Sequence, residues 1–188
     1  MAQLKNKTSE LRIRTRKVAS IHFFFIFAIA VQLIAFDAGK LIEPKVTLYR
    51  WIAVAALLIV TSIVWYIARN RSSQPATYKW LILTLILTDI GFASFSVYSQ
   101  RGMASRAVML YAVPIMVAGV IARRSALLAT AALSIAAYVV TTVSYFVLNF
   151  NEGYKLELYG EIGFYCAIFV IIAMLMWVFI APKHHGNS

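Results

Sequence analysis

Asp89 stands inside the apolar run WLILTLILTDIGFASFSVY, residues 80–98. An ionised carboxylate in hydrocarbon costs several kcal/mol unless it is paired, protonated or wetted. Such a residue is either a proton- or ligand-linked carboxylate facing a helix bundle's interior, or a hydrogen-bonding tie to another helix. Thr84, Thr88 and Gly91 lie on neighbouring helix faces and are candidates for a polar seam beside it. Past the run comes SQRGMASR, with Gln100, Arg101, Ser105 and Arg106 flanked by Tyr98 and Tyr111. Gly102 marks the turn. Two guanidinium groups among hydroxyls suit an anionic head group or a carbonyl. Arginine and tyrosine at a membrane boundary give the alternative, an interfacial belt. Pro114 interrupts the next apolar run, freeing a backbone carbonyl and bending the chain toward this loop. The candidate ligand-binding set is therefore Asp89, Tyr98, Arg101, Ser105, Arg106, Tyr111 and Pro114.

Other chemistry is sparse. His22 lies near the start of the first apolar run, and no second histidine stands at a matching depth for a metal or haem. His184 and His185 follow the last run, and the single cysteine, Cys166, sits within an apolar stretch. Neither a disulfide framework nor a multi-cysteine metal site is expected. The chain contains no GxSxG, no HExxH and no phosphate-binding loop, so neither an enzyme nor a resident cofactor is expected.

The elements that must position these residues follow from composition. Hydrophobic residues make up 62% and charged residues 13% of 188, and the mean hydropathy is +0.78. Soluble domains hold about 45–50% apolar and about 25% charged residues. The chain is therefore an all-α integral membrane protein. A span needs about 20 mostly apolar residues, and six runs approach this: Val18–Phe36, Trp51–Ala68, Trp80–Tyr98, Ala107–Ala122, Ser125–Leu148 and Ile162–Ala181. The fourth is short but is taken as a full span. Short loops favour antiparallel neighbours in a compact six-helix bundle. Small residues mark expected contact faces: Ala132 with Ala136, Ala129 with Leu133, Gly119 with Ala122, and Gly160 with Gly163.

The net charge of +11 would point to nucleic acid in a soluble protein. Here it orients the bundle, and no nucleic-acid partner is expected. With six spans and a cytoplasmic N-terminus, 12 of the 18 lysines and arginines fall inside and 6 outside. Asp37, Glu43, Glu152, Glu157 and Glu161 collect on the outer side, where Arg50 is expected to pair with Asp37 or Glu161. Both termini are therefore expected in the cytoplasm. Residues 1–17 form a basic tail or helix at the inner surface, residues 18–181 the transmembrane domain, and residues 182–188 a short tail. The first partner implied is the lipid bilayer.

The segment TDIGFASFSVYSQRGMASRAVMLYAVPIMVAGVIARRSALLATAALSIAAYV, within a pattern covering about residues 12–181, resembles the membrane sensor domain of bacterial histidine kinases. Quinone-sensing members carry Gly-Gly-x-x-Asn-Pro-Phe between the third and fourth helices. Here Arg101 and Gly102 take the glycine places, Ser105 the asparagine, Arg106 the proline and Ala107 the phenylalanine. One glycine of the two is present. The resemblance implies a bacterial cytoplasmic membrane and a quinone or lipid ligand. No kinase catalytic segment lies within the 188 residues, so the chain is expected to be an excised sensor part or a stand-alone protein of similar build.

The leading expectation is a sensory module. It responds to a membrane-soluble ligand or to membrane state, and signals to a cytoplasmic partner through the sixth helix or the basic tail. A homo-oligomer or another membrane protein is a second expected partner. The alternatives are an accessory subunit docked in a larger membrane complex and a small proton-coupled transporter using Asp89. Few membrane-embedded polar residues are present to serve a transporter.

Overall fold

The computed structural model describes residues 2–39, 44–70, 74–100, 105–120, 124–150 and 156–180. Among them are six α-helices and no strand: α1 (Ala2–Ala38), α2 (Pro44–Arg69), α3 (Pro75–Ser99), α4 (Ala112–Val120), α5 (Arg124–Phe150) and α6 (Leu156–Phe179). Five are long and apolar enough to cross a bilayer. The 182–188 tail, Arg101 and Gly102 lie outside the described residues.

Two helices open on proline, Pro44 in α2 and Pro75 in α3. A proline in the first turn loses no helical hydrogen bond, because the N–H it lacks has no partner there anyway.

The fourth run is not a single α-helix. Residues Arg106–Tyr111 form a 3-10 helix that passes into the nine-residue α4. At about 2.0 and 1.5 Å per residue the described residues of this run reach roughly 25 Å. Pro114 explains the junction. It is the third residue of α4, in the turn where a missing N–H costs little. It starts a helix here, where a bend within one was expected.

The basic segment and the first span form one unbroken helix. At about 1.5 Å per residue, the 37 residues of α1 extend about 55 Å, well beyond the hydrocarbon thickness. Glu10 and Arg14 pair at 2.6 Å one turn apart. Arg14 Nη1 also donates to the Val120 carbonyl at 2.9 Å, satisfying a terminal acceptor of α4. Arg124 does the same for α6, reaching the Ile180 carbonyl at 3.5 Å while stacking on Trp177 at 4.8 Å.

The buried centre belongs to α3. Of its most apolar window 56% is buried, against 17% for α6, and it packs on α1, α2, α4 and α5. Tyr78, Leu85, Val97, Tyr111, Ile115, Tyr138 and Phe169 are fully buried. Large apolar side chains such as Phe24, Phe27, Trp80, Val178 and Phe179 point outward. In water this would be untenable, but in a bilayer these groups meet acyl chains.

With lipid as apolar as the core, close backbone approach matters more than hydrophobicity. Gly119 is buried, and a Cβ built on it falls against the Met176 side chain of α6. Ala132, Ala136 and Ala129 instead face outward, and the buried face of α5 runs through Leu127, Ala131, Ser134 and Tyr138. Gly160 and Gly163 are exposed, with open space around them. Gly119→Leu is expected to cost about 1–3 kcal/mol through overpacking, with recovery on adding Met176→Ala. Gly160→Ala and Gly163→Ala should be neutral. Thermal unfolding in detergent checks all four.

Candidate functional site

Asp89 has a partner that is not evident from the sequence. His22 of α1 lies against it, with Nε2 2.8 Å from Asp89 Oδ2. Both side chains are almost wholly enclosed, at 3% and 2% exposure. The other ring nitrogen, Nδ1, lies 3.0 Å from the Val18 carbonyl. A carbonyl oxygen accepts only, so Nδ1 carries a hydrogen. The Nε2–Oδ2 contact therefore holds one shared proton. Either an imidazolium donates to a carboxylate, or a carboxyl O–H donates to a neutral imidazole. The two forms have the same proton count and the same geometry. Removing that proton costs one of the two imidazole bonds: either the Asp89 contact opens, or the ring changes tautomer, Nε2–H donates to the carboxylate and the bond to Val18 is lost. Asp89 Oδ1 is buried and makes no hydrogen bond, so the carboxyl group keeps one acceptor in reserve.

The expected polar seam does not form. Thr84 and Thr88 bond back to carbonyls of their own helix at 3.0 and 2.8 Å, and Thr84 and Gly91 face outward. The sequence signal for His22 was the need of a buried acid for a partner in another apolar run.

A second polar feature lies where α2 begins and α3 ends. A cavity of about 110 Å³ opens between α1, α2, α3 and the 3-10 helix. Its polar lining is Gln32, Arg50, Ser96, Gln100 and Arg106, and its walls are Ile29, Leu33, Phe36, Val54, Phe92, Ala107 and Leu110. Arg50 Nη2 donates to the Ser99 carbonyl at 3.2 Å, which anchors α2 to the end of α3. Its Nε is buried and has no acceptor. The expected pairing of Arg50 with Asp37 or Glu161 is not made. Among the described residues the ion pairs are Arg14–Glu10 and His22–Asp89.

The remaining candidates separate. Arg106 lines this cavity. Ser105 caps the 3-10 helix, accepting from the Ala107 N–H at 3.0 Å and donating to Gln100 Oε1 at 3.0 Å. It thus holds Gln100 at the cavity rim. Tyr98 is 42% exposed and meets Tyr145 edge to face at 5.5 Å. Tyr111 is fully buried, exchanges a hydrogen bond with the Ser94 hydroxyl at 2.8 Å and donates to Thr141 at 3.4 Å. Its ring packs against Tyr138 and Phe169, so it joins α3, α5 and α6 at the core. Pro114 is buried in the first turn of α4. Gln32, Arg50 and Ser96 were not expected at the site. Three residues from three helices form one cavity wall only once the helix registers are set.

A model of the PilS-like transmembrane domain matches residues 3–183. The chain belongs to that family. PilS-like domains of this kind are six-span sensor domains of histidine kinases, in agreement with the resemblance carried by residues 88–139. Neither the curated proteins nor the solved structures yield a match to this chain. In this PilS-like domain, the buried His22–Asp89 contact and the Arg50–Arg106 cavity are two places among the described residues where ionisable groups are held away from water. Between them they engage α1, α2, α3 and the 3-10 helix.

Proposed function

We propose that this PilS-like domain senses a membrane-soluble ligand in a bacterial cytoplasmic membrane and passes a helix shift to a cytoplasmic partner. The His22–Asp89 contact carries this reading. It is the one polar tie across α1 and α3 within the apolar zone among the described ion pairs, and loss of its shared proton switches its bonding by breaking either the Asp89 contact or the Val18 bond. A bistable element of this kind is what a sensor requires. Ligand in the outer cavity touches α1, α2 and α3 at once and biases their separation. We assign the chain no catalysis of its own.

Asp89→Asn retains a donor toward His22 Nε2 but has no proton to release. It is expected to be stable and fixed in one signalling state. Reporter transcription in native cells carrying the variant at its own locus measures this. A variant that responds over the full wild-type range would leave Asp89 as interhelical glue alone.

Both termini are placed in the cytoplasm in this reading. Arg12, Arg16, Lys17 and Arg69 gather around one groove between α1 and the end of α2, an arrangement suited to anionic lipid at an inner surface. Cysteines introduced at Gln3, Ser73 and Ser125 should react only with reagents that enter the cytoplasm. Labelling of any of them by an impermeant reagent in intact cells refutes the orientation.

A further inference from the structure

We propose that the outer cavity is a binding site for the oxyanion head group of a single-chain membrane amphiphile, with a carboxylate or phosphate seated between Arg50 and Arg106. The inference deepens the sensor reading and rests on it for its consequence, although binding itself is measured separately.

The charge balance comes first. Among the described residues, two guanidinium groups line the cavity and no acidic residue does. The expected acid partners do not reach Arg50. A half-buried arginine beside apolar walls keeps its charge, because it does not deprotonate in proteins. It therefore needs an acceptor, and Nε is buried without one. The Ser99 carbonyl satisfies one Nη2 hydrogen and fixes the guanidinium plane. A planar oxyanion matches the donors that remain, since guanidinium binds such groups through paired N–H bonds.

Gln100 and Ser96 supply further polar contacts at the rim. Gln100 Oε1 is occupied by the Ser105 hydroxyl at 3.0 Å, which turns its amide N–H groups outward as donors. The whole polar lining can therefore donate.

Size and surroundings point to an amphiphile. A volume of about 110 Å³ holds a head group with a few methylenes. Leu33 and Phe92 line the walls, while Ile34 and Val31 of the adjoining α1 surface face lipid. An acyl chain can leave the cavity along that surface without entering water.

The test uses the full chain in nanodiscs of zwitterionic lipid, with radiolabelled dodecanoate as probe. Saturable binding of one equivalent is expected. Dodecyl phosphate should displace it and dodecanol should not. Arg50→Gln and Arg106→Gln should each weaken binding at least tenfold. Arg106 is exposed, so its variant tests the site without loading the fold, and the displacement series needs no variant at all. Equal displacement by dodecanol, or unchanged binding in Arg106→Gln, overturns the oxyanion assignment. Displacement by acetate or inorganic phosphate at the same concentrations as the dodecyl compounds overturns the amphiphile and leaves a free-anion site. Failure of binding with the Asp89→Asn signalling defect intact removes this ligand class and spares the sensor reading. Binding with a fully responsive Asp89→Asn does the reverse.

Discussion

Asp89→Leu and His22→Leu, made singly, are each expected to destabilise the bundle by about 2 kcal/mol, and the double variant should recover most of that loss. Each single change strands a buried polar partner, and an unsatisfied buried group costs about 1–3 kcal/mol. With Asp89 gone, His22 keeps its Nδ1–H bond to Val18 at 3.0 Å as a neutral ring, and Nε2 faces no donor. What remains is one orphaned acceptor, not a bare charge. With His22 gone, the carboxyl group is retained only in its neutral form. The double change replaces both by apolar groups of related size, which is often close to neutral. The coupling read from the four-member cycle should be about 3 kcal/mol, at the upper end for residues in direct contact. Reversible unfolding in mixed micelles provides the numbers. Strict additivity of the two losses would show that the contact contributes nothing to folding. Asp89→Asn should stay within about 1 kcal/mol of wild type, since its amide N–H can donate to Nε2 in place of the carboxyl.

Tyr111→Ala is expected to be costlier, about 3 kcal/mol or more. The ring is fully enclosed and touches Tyr138 and Phe169 with centroids 5.8 and 6.0 Å away. Large-to-small changes at such sites leave a cavity that neighbours fill only in part, at about 3–5 kcal/mol for aromatic residues. Part of that range reflects transfer from water, which is absent in a bilayer. Tyr111→Phe keeps the ring and removes only the hydroxyl bonded to Ser94 at 2.8 Å and Thr141 at 3.4 Å. It should cost about 1 kcal/mol. Dodecanoate binding should survive Tyr111→Phe unchanged, because the residue lies in the core and does not line the cavity. A loss of binding with normal stability would return Tyr111 to the ligand site.

The long helices were legible because twenty-odd apolar residues between charged ends have one stable arrangement in lipid. The fourth was legible only in part. Its apolar composition extends through Arg106–Val120, but the first six residues adopt 3-10 geometry, and neither composition nor periodicity separates that from an α-helix. Asp89 stood out because a single acid in an apolar run is costly wherever the run is placed. His22 did not, because its partner depends on the register of α1 against α3, which no residue type encodes. Arg50 was legible as a charge near a helix end. That it meets the Ser99 carbonyl and a cavity, and pairs with no acid among the described residues, follows from the packing of three helices. The contact face of α5 was misplaced for a related reason. Alanines occur on both of its faces, and only the fixed position of α3 decides which one is covered.

The continuity of α1 has a mechanical consequence. His22 lies twenty residues from Ala2, so a rigid helix places the N-terminal end about 30 Å from the imidazole. Arg14 is held by the Val120 carbonyl, roughly 12 Å along the same axis from His22. With the imidazole as fulcrum, a tilt of about 10° sweeps the far end through about 5 Å and moves Arg14 by about 2 Å. That smaller movement is enough to break a 2.9 Å hydrogen bond. The arginine is thus a latch on the arm of a lever, and small displacements between α1 and α3 are magnified toward the N-terminal end.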